Sequence, residues 1–304
     1  MTTSSQIRVG TAPDSWGVWF PDDPQQVPWH QFLDEASAGG YRWIELGPYG
    51  YLPTDPNQLR DELDSRGLEL IAGTVFTGFH KGEQQWQRAW EQALAVAGLV
   101  SQLGARHLVV IPDMWRSDVT GEALEPRTLT DEQWHQLAAG HDRLGKALQE
   151  EFGIQQQFHS HADTHIGTHT EVERFLELTD PQFTSLCLDT AHYAYYGGDC
   201  LGLIESHPER IGYLHLKQVD PVAVFDVLKN DVSFADAATA GIMVEPPGGI
   251  PEFGPILDAV AAIDPDIFAI VEQDMPGCAP DAPYPIAVRT KDHILGCSHH
   301  ARLR

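Results

Sequence analysis

Three short strings in the second half of this 304-residue chain each end an apolar run with a side chain that can ligate a metal: SLCLDTAH, IGYLHLK and FAIVEQD. They supply Asp189, His215 and Glu272. Two carboxylates and an imidazole form a mixed oxygen and nitrogen donor set. It suits a divalent ion such as Mn²⁺, Mg²⁺, Co²⁺ or Zn²⁺ and is too hard for copper(I) or iron–sulfur chemistry. Each residue alone has a plainer reading. Asp189 precedes Thr190 and can cap the following helix, and a buried His215 can simply be hydrogen-bonded.

The elements that must position these residues are short β-like runs alternating with stretches of helical period, the pattern of repeated βα units. Eight strands are predicted: IRVGTA, RWIELG, LELIAGTVF, HLVVIP, GIQQQFH, SLCLDT, IGYLHLK and FAIVEQ. Between them, Asp55 and Pro56 open a helix with Leu59 and Leu63 on one face and Gly67 as its stop. Capping boxes are predicted at Thr130 with Gln133 and at Thr170 with Glu173, each before an apolar stripe. The helix after Lys81 carries Trp86, Trp90, Leu94 and Ala97 at helical spacing, a face to be packed on the sheet. Eight such units without G-x-G-x-x-G after the first strand predict a single (β/α)8 TIM barrel over residues 1–304, with a C-terminal tail from about 285. In that fold the strand C-termini carry the chemistry, so Asp189, His215 and Glu272 should meet at one mouth.

Composition narrows the partners. Forty-four acidic against 19 basic residues, a net charge of −25, repel phosphate backbones and anionic membranes, so neither nucleic acid nor membrane is expected as a partner. Cys187, Cys200, Cys278 and Cys297 are too scattered for a zinc knuckle or disulfide framework, and reduced cytosolic thiols are the simple reading. MTTSSQIRVG has no leader pattern and no run of about 18 apolar residues occurs, so a cytoplasmic protein is expected.

Taken in order, TAPDSWGVW, GYRWIELGPYGYLP, FHSHADTH, LDTAHYAYYGGD, HLKQVD and VEQD resemble the sugar isomerase/epimerase superfamily with a xylose-isomerase-like barrel, most nearly its inosose dehydratase group. The resemblance implies a divalent cation, Mn²⁺ in the first place, held by residues of strands five to eight, with Asp189, His215 and Glu272 at the last three positions. It also implies a small keto-sugar or keto-cyclitol substrate, and leaves a homo-oligomer open. Strand five departs from the pattern: where epimerases offer a Glu, this chain runs Gln155, Gln156, Gln157, Phe158, His159. His159 and His161 alternate with Ser160 and share a face, so either imidazole can be the fourth ligand; we assign His161 to the metal and His159 to proton transfer. His165 and His169 are placed on the loop or at the start of the next helix, and Glu171 in its first turn.

A cation that chelates a carbonyl and its neighbouring hydroxyl makes the α-proton removable near neutral pH. Candidate bases are a strand-five histidine, Glu45 and Glu272. Reprotonation gives isomerisation or epimerisation, whereas loss of a β-hydroxyl gives dehydration. The missing strand-five Glu favours dehydration, because histidine can protonate a leaving hydroxyl. Lys217 shares a strand face with His215 and should hold an enolate or hydroxyl with a lowered pKa. Glu45 should bind sugar hydroxyls or Lys217, and His192 a substrate oxygen. Trp16, Trp19 and Tyr49 should cover the apolar face of a ring, or else pack in the core. The GPYGYLP and EPPGGIPEFG loops have the residues of a shaped lid or of ordinary turns. Other classes stay in view: a lyase acting on a 3-keto-glycoside, a sugar-binding barrel without turnover, and a metal-dependent nuclease. The acidity and lack of a basic groove count against the last.

Overall fold

Parallel pairing runs unbroken around eight strands and returns to its start, which closes a barrel. The computed structural model describes residues 7–263 and 266–302. The barrel strands are β1 (Ile7–Thr11), β2 (Trp43–Glu45), β3 (Glu69–Thr77), β4 (His107–Pro112), β5 (Gln155–His159), β6 (Thr184–Asp189), β7 (Ile211–Leu216) and β8 (Phe268–Val271). β8 pairs with β7 on one side and with β1 on the other, in register Val9 to Ala269 and Thr11 to Val271. The eight expected strands therefore all form, their ends within two residues of the sequence reading. Residues 1–6, read above as lacking a leader, lie outside the described residues.

Helices fill the connections as α1 (Trp29–Ala38), α2 (Pro56–Asp64), α3 (Glu83–Gln102), α4 (Asp131–Phe152), α5 (His169–Leu178), α6 (Thr190–Tyr195), α7 (Cys200–Ser206), α8 (Pro221–Lys229), α9 (Phe234–Thr239), α10 (Phe253–Ile263) and α11 (Pro283–Cys297). Local chemistry sets their ends. Asp55 accepts the Asn57 and Gln58 amides to open α2, and Gly67 takes the left-handed φ of +66° in the turn beyond its end. Thr130 and Gln133 form a reciprocal capping box on α4. On α5 the box is Thr168 with Glu171, two residues before the expected pair, so Thr170 is inside the helix. The reason is that Glu171 also receives the Gly167 and Thr168 amides and pairs with Arg127. In α3, Trp86, Ala93 and Ala97 are buried, but Leu94 rolls to the surface. The segment from about 285 belongs to α11, and beyond it Ala301–Arg302 adds a short parallel pairing to β1.

Strand alternation splits the core in two. Ile44, Leu186, Leu188, Leu214, Leu216, Ala269 and Val271 face outward under the helices. Trp43, Ala72, Val109, Cys187, Tyr213, Phe268 and Ile270 face inward and fill the lower barrel. No described helix is long and apolar enough to cross a membrane. All four cysteines are free thiols.

Candidate metal centre and cavity

One step beyond that apolar filling, the inward files end in polar residues. Cys187 is followed by Asp189, Tyr213 by His215 and Lys217, Ile270 by Glu272 and Asp274, Trp43 by Glu45. Asp189, His215 and Glu272 meet as expected, and the fourth member is His159: one donor atom from each lies within 4.8 Å of the others, and all four residues are buried.

Asp189 does two jobs. Its Oδ1 accepts the Ala191 and His192 amides as the cap of α6, while its Oδ2 is buried with no hydrogen-bond partner. That free oxygen lies 3.4 Å from His159 Nε2 and 3.8 Å from His215 Nδ1. His215 is oriented from below. Glu45 Oε1, which also accepts the Tyr213 hydroxyl at 2.8 Å, lies 3.1 Å from His215 Nε2, a contact only a ring N–H can satisfy. This turns Nδ1 upward, 2.9 Å from Glu272 Oε2. An imidazole fixed by a carboxylate through its far nitrogen is the usual support of a metal ligand. Asp189 Oδ2 without a hydrogen bond in so buried a place, with two imidazoles and two carboxylates converging on it, fits a divalent cation.

Lys217 Nζ sits beside this group, 2.9 Å from Asp274 Oδ2, 3.1 Å from Glu272 Oε2 and 3.4 Å from Asp189 Oδ2. Its expected pKa decrease is overturned: burial would lower it, but Asp189, Asp274 and Glu272 together raise it well above the ordinary lysine value. Burial would likewise raise Glu272, yet His215 and Lys217 hold it at about 2. For His215, burial is outweighed by Cys187, Glu272 and Glu45, which raise it well above its usual value. Asp14 goes the other way, raised by burial first and then by Glu272 and Asp274.

A cavity of about 590 Å³ opens above, of small-molecule size. His159, His215, Glu272, Lys217, Asp14 and Asp274 form its polar end; Trp19, Phe20, Tyr49, Phe76 and Phe234 contribute rings. Trp19 lies parallel to Phe234 with ring centres 6.2 Å apart. Tyr49 comes from the GPYGYLP loop, whereas the EPPGGIPEFG loop instead bonds to Gln218 and Val219 outside the cavity.

Several expected residues take other parts than expected, although His161 and Glu45 still line the cavity. Trp16 is 1% exposed, packs edge-on against Phe32 and donates its indole N–H to Glu35, so it belongs to the core. His161, expected among the ligands, lies outside the four-donor group because it stands past the end of β5. Its Nδ1 donates to the Ala162 carbonyl and its ring lies 3.8 Å from that of His192. Burial, then His159, lower its pKa to about 3. His192 is fully enclosed behind it, 3.4 Å from Lys217 Nζ. Glu45 contacts Tyr213 and His215 rather than Lys217. Sequence reasoning missed Asp14 and Asp274. Asp274 follows Glu272 by two residues, the same alternation that singled out Lys217; Asp14 carried no periodic signal.

Comparison with known proteins places these features among relatives. Residues 33–289 match the family model for xylose isomerase-like TIM barrels. An inosose dehydratase of Geobacillus kaustophilus is 31% identical, covering 98% of this chain and 97% of its own. One of Lacticaseibacillus casei is 29% identical, covering 95% of this chain and 96% of its own. Among solved structures, the IOLI protein with a bound zinc atom superposes with a TM-score of 0.70 at 14% identity, over 95% of this chain and 99% of the other. The apo 3-keto-D-glucoside 4-epimerase YcjR from E. coli gives 0.68 at 12% identity, over 96% and 100%.

Proposed function

This chain belongs to the family of xylose isomerase-like TIM barrels, and on that premise we propose that it is a divalent-metal-dependent dehydratase of a keto-cyclitol of the inosose type. It is an enzyme of the sugar-modifying kind. The observation that carries the finer reading is the four-donor group of His159, Asp189, His215 and Glu272 at the polar end of a closed-bottomed cavity. The full-length likeness to inosose dehydratases supports the substrate class.

In this reading those four residues hold the cation, Mn²⁺ by preference, which when bound polarises the substrate carbonyl and its neighbouring hydroxyl. Lys217, kept protonated by three carboxylates, places a fixed positive charge where the enolate oxygen develops. With Nδ1 committed to Ala162 and its pKa lowered to about 3, His161 stays neutral and presents Nε2 as a hydrogen-bond acceptor to a substrate hydroxyl. Asp14, made a stronger base by burial and by Glu272 and Asp274, takes the α-proton as the carboxylate and returns it to the leaving β-hydroxyl, which departs as water. Glu45 positions His215, while Trp19 and Tyr49 face the ring of the substrate. The donor set with histidine in place of the strand-five glutamate favours dehydration over epimerisation or 3-keto-glycoside cleavage.

The test is proton NMR of the Mn²⁺-loaded protein in D₂O with 2-keto-myo-inositol and a panel of ketoses. Loss of the α-proton signal together with an enol or diketone product is expected. Exchange with only rearranged sugars would replace dehydration by isomerisation, and no turnover of any inosose would refute the assignment.

A further inference from the structure

A second set of ligand-type side chains lies apart from the four-donor group. His80 follows β3, Glu125 is in the loop after β4, and His165 is in the loop after β5. One donor atom from each falls within 4.8 Å of the others. His80 Nε2 is 3.1 Å from Glu125 Oε2, His165 Nε2 is 3.4 Å from Glu125 Oε1, and the two rings are 4.6 Å apart.

The hydrogen bonds fix which atoms are available. His165 Nδ1 lies 2.8 Å from the Arg127 carbonyl, which can only accept, so Nδ1 donates there and Nε2 is the ring nitrogen left to face Glu125. That nitrogen faces a carboxylate oxygen, a pair of donor atoms that one bound cation would bridge. His165 is 1% exposed and His80 2%, and His165 Nε2 and His80 Nδ1 have no hydrogen-bond partner. Lys81 is 3.0 Å from Glu125 Oε1, but it is also 3.1 Å from Asp113 Oδ2, so its charge stays paired when Glu125 turns to a ligand.

We propose that His80, Glu125 and His165 form a second, structural cation site, of the two-histidine, one-carboxylate type that takes Zn²⁺. Its three ligands come from the loops after three successive strands, so an ion there ties together one wall of the cavity. Lys81 and Asp113, which line the cavity, stand next to it.

Zinc content after loading and desalting tests the site. Wild-type protein should hold two equivalents per chain, Asp189→Asn one, and Glu125→Gln one. In the Asp189→Asn background, Co²⁺ should give the visible absorption of a low-coordinate nitrogen and oxygen site, and His165→Gln should abolish it. One equivalent in the wild type with none in Asp189→Asn would overturn the proposal. So would binding in Asp189→Asn that persists after Glu125→Gln is added, since that ion would then be residual occupancy of the first group. Circular dichroism of each variant shows that the fold is kept, and the Asp189→Asn measurement stands even where a His165 variant fails to fold.

Discussion

The lower and upper halves of the barrel bore are built from the same inward files of the same strands, and they could hardly differ more. Below lie Trp43, Ile71, Val109, Cys187, Phe268 and Ile270; above, two residues further along, lie Glu45, His159, Asp189, His215 and Glu272. The apolar half closes the bore against water. It is the reason the charges above act in a weakly screening medium, where Glu272 falls to about 2 and Lys217 rises. One half supplies stability and dielectric, the other supplies chemistry, and the boundary falls within a two-residue step.

Substitutions on either side should separate these contributions. The largest effect is expected from Asp189→Asn. The amide oxygen can still cap α6, but the free Oδ2 is replaced by a donor. Activity should drop by at least ~10³-fold together with loss of the ion at this site, while circular dichroism is unchanged; full activity after chelation would refute the metal role. Ile270→Ala, in the apolar half, should cost ~2–5 kcal/mol in denaturant unfolding yet leave metal content intact. If metal were lost first, the two halves would not be separable. Glu45→Gln straddles the boundary, and metal affinity by competition with a chelator should weaken by ~10–100-fold as His215 loses its anchor.

The smallest effect is in pH dependence. Glu272 is depressed from its ordinary value to about 2, so its contribution to stability is present above about 4.5 and fades as pH falls toward 2. Asp14 and Asp274 are raised and act with the opposite sign. The comparison is therefore between metal-free wild type and Glu272→Gln: the wild type should lose more stability on acidification through that window, and parallel curves would refute the ionised Glu272.

Much of this was legible before folding. Asp189, His215 and Glu272 could be found because each ends an apolar run, and strand alternation sends them inward together. Asp55, Thr130 and Gly67 announced helix ends, since capping depends only on neighbours in sequence. The misplaced box at Thr170 shows the limit: Thr168 and Thr170 both have a glutamate three residues on, and the Arg127 contact that favours Glu171 comes from 44 residues away.

The sequence by itself thus determined the barrel, its strand ends and three of the four converging donors, because these follow from period and short-range hydrogen bonding. Tertiary structure alone decided that His159 rather than His161 joins them, that Trp16 turns to Glu35 in the core, and that Lys217 is a firmly held cation. Each of those depends on which distant groups face a side chain once the barrel closes. A histidine one residue pair beyond the strand end, or a lysine met by carboxylates from β6 and β8, has no local mark of its surroundings.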